Sequence, residues 1–323
     1  MAEQFWIGVD LGGTKILTGL FDSQLNLVQR KKTATNASEG GPAVVARVVE
    51  TVHAVLAEHQ LTTDQVAGLG LSVPGQVVLN TKVVRFAPNL NWRDFDLAPL
   101  LPTTWQFPTV VQNDVRMGTY GEWKKGAAIG AQHVFGIFPG TGVGGALILN
   151  GDLFHGFHGH AGEIGHIVLQ WRKGQTLEDI AGRKNIVKHA KAMLADMPRK
   201  VRKTWKDVDT EKLKSSQIAK MYQNSDPIML QAIDEAAKAL GAAIGSVVNL
   251  VSPEIIVIGG GLAEALGEPF REHVWEIAER YILPDAALNV PCVLAKLGDD
   301  AGITGAAAYV QDHLASLTQG ATE

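Results

Sequence analysis

The chain has one cysteine among 323 residues, Cys292, so an intramolecular disulfide and a disulfide-stapled scaffold are excluded. Cys292 lies in an apolar, strand-like run, Val290-Pro291-Cys292-Val293-Leu294, and is expected to pack in a core. An excess of one charge is also missing. With 29 Lys and Arg against 33 Asp and Glu the net charge is -4, which gives no broad field for nucleic acid or an anionic membrane. No uninterrupted apolar run reaches about 18 residues, and no basic region with a long apolar stretch opens the sequence, so neither membrane insertion nor export is expected. A cytoplasmic protein with small-molecule partners is the expectation. Low-complexity tracts and tandem repeats of about 20 to 50 residues are absent too.

Glycine, by contrast, is abundant. The 35 glycines follow no collagen-like period and are expected mostly in turns. Three glycine turns each follow an apolar run: Asp10-Leu11-Gly12-Gly13-Thr14-Lys15, then Gly140-Thr141-Gly142-Val143-Gly144-Gly145, then Gly259-Gly260-Gly261. Without a Cβ, such a turn lets the backbone approach a phosphate and aim N–H donors at it. The three turns read as walls of one nucleotide-phosphate site.

The length exceeds what one core usually organises, so two domains with a cleft are expected. Residues 5–9 and 16–21 flank the first turn as strands, which makes a hairpin rather than a strand feeding a helix. Residues 42–59 have helical apolar spacing, and 66–73 read as a buried strand ending at Pro74-Gly75. Short strands over 77–86 and 109–111 follow, then a helix over 115–125. Residues 135–138 and 146–149 repeat the strand-turn-strand plan around the second turn. Helices are expected over 177–194 and 215–222, with a charged stretch over 199–214 between them. Asp226-Pro227 caps and opens a long helix that ends near Ser252-Pro253. After a buried strand at 254–258 and the third turn, residues 262–266 open a helix, and 301–317 form a last one. The expected division is 1–118 plus 301–323 against 119–300.

The middle turn satisfies Gly-x-Gly-x-x-Gly through Gly140, Gly142 and Gly145, yet a dinucleotide fingerprint needs a helix at the third glycine. Here a strand, Ala146-Leu147-Ile148-Leu149, and a turn, Asn150-Gly151, follow instead. A Walker-type P-loop is missing as well. In the first turn Asp10 precedes the glycines and Thr14-Lys15 follow them. Such an arrangement lets the carboxylate hold Mg²⁺ through water while turn amides and the Thr14 hydroxyl meet phosphate oxygens. An ordinary tight hairpin with an incidental aspartate is the competing reading.

Two further segments carry chemistry. Gln112-Asn113-Asp114 places a carboxylate at the end of a short strand. It reads either as a general base with Asn113 orienting an acceptor, or as a capping pair for the following helix. Gly159-His160-Ala161-Gly162-Glu163-Ile164-Gly165-His166 offers a carboxylate and an imidazole suited to hydroxyls of one polyol. A metal site built from His155, His158, His160 and His166 has no recognised zinc spacing. The run Arg199-Lys200-Val201-Arg202-Lys203-Thr204-Trp205-Lys206 reads as a solvated helix face, because Asp207, Asp209 and Glu211 follow at once.

Together these motifs resemble the ROK sugar kinases, within the actin-like, ribonuclease H-like ATPase fold, over nearly the whole chain. Residues 7–15 resemble the family's first phosphate motif, 138–145 its second, and 255–261 its adenosine motif. The resemblance implies an α/β protein of two ribonuclease H-like (actin-like ATPase) domains around a cleft. It implies an ATP- and Mg²⁺-dependent hexose kinase of the glucokinase type, acting on the 6-hydroxyl of glucose or a related hexose. Kinases for fructose, mannose or an N-acylhexosamine, and a non-catalytic sugar sensor, are the alternatives.

By the same resemblance Asp114 is the catalytic base, and Asn113, Glu163 and His166 bind sugar hydroxyls. Ser72-Val73-Pro74-Gly75 and Ala87-Pro88-Asn89-Leu90 match sugar-side segments, which adds Gly75 and Asn89. Leu177-Glu178 resembles the end of the family's zinc module, which adds Glu178 as a sugar ligand. Residues 167–177 hold no cysteine or histidine, so no structural zinc is expected, and Glu178 would be positioned by packing alone. ATP would be held by Asp10, Gly12, Gly13, Thr14, Lys15, Gly140, Thr141, Gly142, Gly144, Gly259, Gly260 and Gly261. The family also implies a homodimer. Its repressor members carry an N-terminal helix-turn-helix, and this sequence starts almost at the phosphate motif, so a regulator is the less favoured expectation.

Overall fold

The computed structural model describes residues 4–206, 208–285 and 290–315. The part of the last expected helix and domain segment beyond residue 315, and Asp207 of the charged stretch, lie outside the described residues. The described residues divide into two compact units. One runs to Gly130 and takes in His155–Ala161 and the segment from Asp299; the other holds Ala131–Phe154 and Gly162–Gly298. The sequence boundary was expected at 118, inside the helix that follows Asn113.

In the first unit a five-stranded sheet is built from β1 (Phe5–Leu11), β2 (Lys15–Phe21), β3 (Leu27–Ala34), β4 (Val66–Val73) and, after three intervening strands, Thr109–Asn113. Those intervening strands, β5 (Gln76–Val77), β6 (Val83–Ala87) and β7 (Trp92–Asp96), form a separate small sheet with β6 in the middle, and Thr109–Asn113 is β8. The order is β3-β2-β1-β4-β8, with β1, β4 and β8 parallel and the other pairings antiparallel. Helix α1 (Gly41–Glu58) covers one face, where Val44, Val48, Val52 and Val55 pack with Ile7, Val9, Leu11, Leu69 and Leu71. This is the alternation expected of a strand with two different faces. Helix α2 (Asp114–Lys125) and the helix Ala301–Asp312 belong to the same unit, the latter packing Ile303, Ala307 and Val310 on Trp6 and Leu17.

Glycine also serves within the strands, beyond the turns where the sequence expectation placed it. Gly8 and Gly70 lie within β1 and β4, where a Cβ would stand 1.9 Å from the Ile303 carbonyl oxygen and 2.0 Å from that of Ala306. Backbone thus packs directly on backbone, which only residues lacking a Cβ permit.

The second unit repeats the plan with β9 (Val134–Pro139), β10 (Val143–Leu149), β11 (Asp152–Leu153), β14 (Ile255–Ile258) and β15 (Cys292–Leu294) in the order β11-β10-β9-β14-β15. The numbers β12 (Val168–Gln170) and β13 (Gln175–Thr176) belong to a separate two-stranded hairpin. Asn150 and Gly151, both at positive φ, form the tight β10 to β11 turn. The expected helix over 177–194 is broken into α3 (Leu177–Ala181) and α4 (Arg183–Met193). The break falls at Gly182, whose backbone is extended (φ −67°, ψ 137°) and whose Cβ position lies 3.2 Å from the Gly142 Cα.

Helix α5 (Arg199–Thr204) forms the basic stretch and α6 (Ser215–Gln223) follows it. Helix α7 (Pro227–Val251) is capped as expected, with the Asp226 side chain accepting from the Ile228 and Met229 amides. Helices α8 (Gly260–Leu266) and α9 (Glu268–Glu279) complete the unit before β15. Cys292 is buried in β15, and burial pushes its thiol up to about 12, leaving a packing residue rather than a nucleophile.

Candidate active site

In the first unit β1 and β2 form the expected hairpin, with Leu11 opposite Ile16. Its glycine turn is closed by Gly12 N–H donating to the Lys15 carbonyl at 2.8 Å. Thr35 braces it from outside, with Oγ1 donating to the Gly12 carbonyl at 2.6 Å and its amide to the Thr14 carbonyl at 3.1 Å. A Cβ on Gly13 would lie 3.1 Å from both Cβ and O of Asn89, so Asn89 stands directly against this turn. The Lys15 ammonium bonds Asp299 at 2.5 Å and holds that carboxyl below its usual range.

Asp10 sits at the end of β1 with Oδ1 accepting from the Ser72 hydroxyl at 3.0 Å. Burial raises its pKa, opposed by the Ser72 bond and the Lys15 charge and reinforced by Asp299. A carboxylate whose charged form is penalised by burial is one that a cation would favour. One such carboxylate beside a phosphate turn matches how Mg²⁺ binds, through one or two carboxylates, retained waters and substrate phosphates. The residues therefore fit that ion. Among the described residues no three or more His, Cys, Asp or Glu gather as a ready-made metal centre.

Asn113 ends β8 and caps α2, its Oδ1 accepting from the amides of Val115 at 2.9 Å and Arg116 at 3.1 Å. The capping reading of this residue is thus realised. Its Nδ2 donates to the Gly75 carbonyl and to Asp114 Oδ1, each at 2.9 Å, and Val115 N–H gives Asp114 Oδ1 a second bond at 2.9 Å. Asp114 is thereby fixed in orientation beside Gly75. Gly75 itself has φ +92°, and a Cβ there would strike the Phe86 carbonyl oxygen at 2.1 Å, so this position accepts only glycine.

Sequence reasoning missed Arg116, a buried cation two residues beyond Asp114. Its guanidinium donates to the carbonyls of Gly159 at 2.6 Å and Ala161 at 3.3 Å, and to His155 Nδ1 at 3.4 Å. His155 Nε2 in turn meets the Tyr309 hydroxyl at 3.3 Å, which also accepts from Gln112 at 3.4 Å. These bonds hold His155 within a structural network behind α2.

In the second unit the second glycine turn joins β9 to β10, with Val143 opposite Pro139 and Gly140 N–H donating to the Gly142 carbonyl at 2.8 Å. Gly144 lies within β10, opposite Phe138, rather than in the turn. Two segments close on this turn. In the first, Gly165 places its Cβ position 2.0 Å from the Val143 carbonyl oxygen, which sets the short 3-10 turn Ile164–His166, with Glu163 before it, against β10.

The second segment is 178–184. Glu178 Oε2 accepts from Val143 N–H at 2.9 Å, Arg183 N–H donates to the Gly140 carbonyl at 3.0 Å, and the Arg183 guanidinium lies 3.4 Å from Thr141 Oγ1. Glu178 is not positioned by packing alone. The β12 to β13 hairpin leads into a reciprocal cap between Thr176 and Asp179, and the buried Leu177 bonds the Ile167 carbonyl at 2.9 Å. The third turn follows β14, which runs parallel to β9. Gly260 there has φ +81° and a Cβ position 2.9 Å from the Pro139 carbonyl oxygen, while that of Gly261 is 3.7 Å from the Ser215 hydroxyl. Within this unit the structure therefore brings together Glu163, Glu178 and the second and third turns.

A hairpin glycine turn in each of two sheets with the same strand order defines an α/β protein of the actin-like ATPase fold. More narrowly, the chain belongs to the ROK family, which it matches over residues 6–313. It is 32% identical to a glucokinase of Halalkalibacterium halodurans over 334 residues, covering 99% of each chain. A ROK family glucokinase from Streptomyces griseus, solved in complex with glucose and AMPPNP, superposes with a TM-score of 0.80 at 28% identity, covering 94% of this chain and 98% of the other. The xylose repressor of Caldicellulosiruptor bescii is 24% identical, covering 97% of this chain and 79% of the repressor. No helix among the described residues is long and apolar enough to cross a membrane.

Proposed function

We propose that this protein is an ATP- and Mg²⁺-dependent hexose kinase that phosphorylates the 6-hydroxyl of glucose. The observation that carries the reading is Asp114, a carboxylate held by Asn113 Nδ2 and Val115 N–H beside Gly75, in a chain whose glucokinase relative aligns end to end. Asp114 takes the proton of the 6-hydroxyl as that oxygen attacks the γ-phosphorus in line. Asn89, Asn113, Gly75, Glu163, His166 and Glu178 are the residues assigned to the remaining hydroxyls. Hydrogen bonds of this kind orient the acceptor and convert a bimolecular encounter into a positioned one.

Gly12, Gly13, Thr14 and Lys15 hold the donor phosphates with Gly140, Thr141, Gly142 and Gly144, and Gly259 to Gly261 line the adenosine. Asp10 would hold Mg²⁺ through water, which would supply charge neutralisation to the phosphoryl group. Like other ROK proteins it would act as a homodimer, and in the cytoplasm, where ATP is supplied.

A second reading, a sugar-sensing protein without catalysis, is favoured by the repressor match, and mannose, fructose or an N-acylhexosamine are the rival acceptors. One experiment separates all of these. Purified protein is given Mg-ATP with each hexose in turn, ADP release is followed, and phosphorus NMR locates the new ester. Glucose 6-phosphate as the fastest product supports the proposal. Sugar binding by calorimetry with no ADP from any hexose would establish the sensor.

A further inference from the structure

Glu178 is assigned above to the sugar, yet its carboxylate rests on the donor turn. Oε2 accepts from Val143 N–H at 2.9 Å, and a Cβ on Gly142 would lie 1.9 Å from that same oxygen. The carboxylate therefore enters the turn as far as a residue without a side chain allows. The attachment is built rather than incidental. Gly182 packs on Gly142, Asn185 Nδ2 donates to the Glu178 carbonyl at 2.9 Å, and the Thr176 to Asp179 cap fixes the first turn of α3.

A glycine turn attracts phosphate because its N–H groups converge on an anion. Here one of those donors is already satisfied by an anion from the protein. A donor phosphate arriving at Thr141 and Gly142 must then sit beside a carboxylate, and like charges at short range oppose one another. Sugar hydroxyls donating to the same carboxylate disperse its charge and draw it off the turn.

We propose that Glu178 makes donor binding depend on sugar, and so acts as a specificity-determining residue that favours transfer to sugar over transfer to water. The inference rests on the kinase reading above. It differs from a simple sugar ligand in its sign, because removing the carboxylate should improve donor binding when sugar is absent.

The test is calorimetric titration of AMPPNP with Mg²⁺, with and without saturating glucose, for the wild type, E178Q and E178A, together with ATP hydrolysis in the absence of sugar. Thermal melts check that each variant folds, and E178Q retains an acceptor for Val143 N–H while losing the charge. In the wild type glucose should tighten AMPPNP at least about fivefold, the lower end of ordinary coupling between sites. In both variants AMPPNP alone should bind several-fold tighter than to the wild type, the glucose enhancement should fall below about twofold, and sugar-free ATP hydrolysis should rise. Unchanged or weaker AMPPNP binding without glucose, in a wild type that phosphorylates glucose, would overturn this inference while leaving the kinase reading intact. A folded wild type that binds neither AMPPNP nor glucose would overturn both.

Discussion

The two units share a strand order and a hairpin glycine turn, but they equip the turn differently. In the first, the acid precedes the glycines on the strand itself, as Asp10, and the turn is braced by Thr35 and by Asn89. In the second, the strand ends in Pro139, and the acid arrives from elsewhere in the chain as Glu178, with Arg183 beside Thr141. The first turn thus stands beside a carboxylate suited to a cation, and the second has a carboxylate laid on its own amide. The two units share the geometry of the turn, and they differ in the charges placed around it.

The sharpest break in the comparison comes from Asp114, which only the first unit carries. D114N keeps an oxygen that accepts from Val115 N–H and Asn113 Nδ2, so fold and glucose affinity should persist. Turnover should drop about 10²- to 10⁴-fold, the usual worth of general-base assistance. Activity within a factor of two of the wild type would remove Asp114 from the mechanism.

Asp10 comes next. Its folded pKa is raised, chiefly by burial, so its contribution to stability is present below the unfolded value and lost as pH rises through the folded one. At neutral pH the ionised group therefore costs stability. D10N should melt higher than the wild type at pH 7 in metal-free buffer, with the difference shrinking towards pH 4, while Mg-ATP turnover falls about 10²-fold. A variant that melts lower at pH 7 would show that the carboxylate is repaid within the protein and does not await a cation.

Much of this was legible in the sequence. The hairpins around Gly12 and Gly142 follow from apolar runs on both sides of each turn, and Asp226-Pro227 announced α7 through ordinary capping chemistry. What stayed hidden was contact between distant backbones. Gly8 and Gly70 look like weak strand residues until Ile303 and Ala306 are seen against them, and Gly182 looks like a tolerated glycine in a helix until Gly142 is beside it. Arg116 was hidden for a related reason, since its acceptors are carbonyls of a loop about 40 residues away and carbonyls leave no trace in a sequence.

A smaller effect separates the turns by what steadies their acids. Asp10 is held by a strand, whereas Glu178 depends on the cap that Thr176 and Asp179 give each other. T176A should cost about 1 kcal/mol of stability, as loss of an N-cap usually does, and raise the KM for glucose more than it lowers kcat. Asp179 adds a pH signature. The Thr176 amide and hydroxyl hold its carboxyl below the usual range, so its contribution is present above the unfolded pKa of about 3.9 and is lost as pH falls through the lower folded value. T176A removes the hydroxyl bond and keeps the amide one, so it should flatten the acid limb of the stability profile in part. An acid limb identical to that of the wild type would mean that the cap does not steady Glu178.

The smallest expected effect is the response to metal chelation, and it asks whether the cap holds this stretch without the zinc module that the family resemblance implies. Between His166 and Glu178 the chain offers no cysteine and no further histidine, and soft ligands in tetrahedral array are what structural zinc requires. The hairpin of β12 and β13, the buried Leu177 and the Thr176 cap together span the same stretch. Binding energy of structural zinc is folding energy, so a zinc-held loop melts when the ion is stripped. Purified protein should carry well under one zinc per chain, and a chelator should leave its melting temperature unmoved. Stoichiometric zinc whose removal lowers that temperature would show that the histidines near residue 160 build a centre on their own, and the two turns would then differ by a metal as well as by a charge.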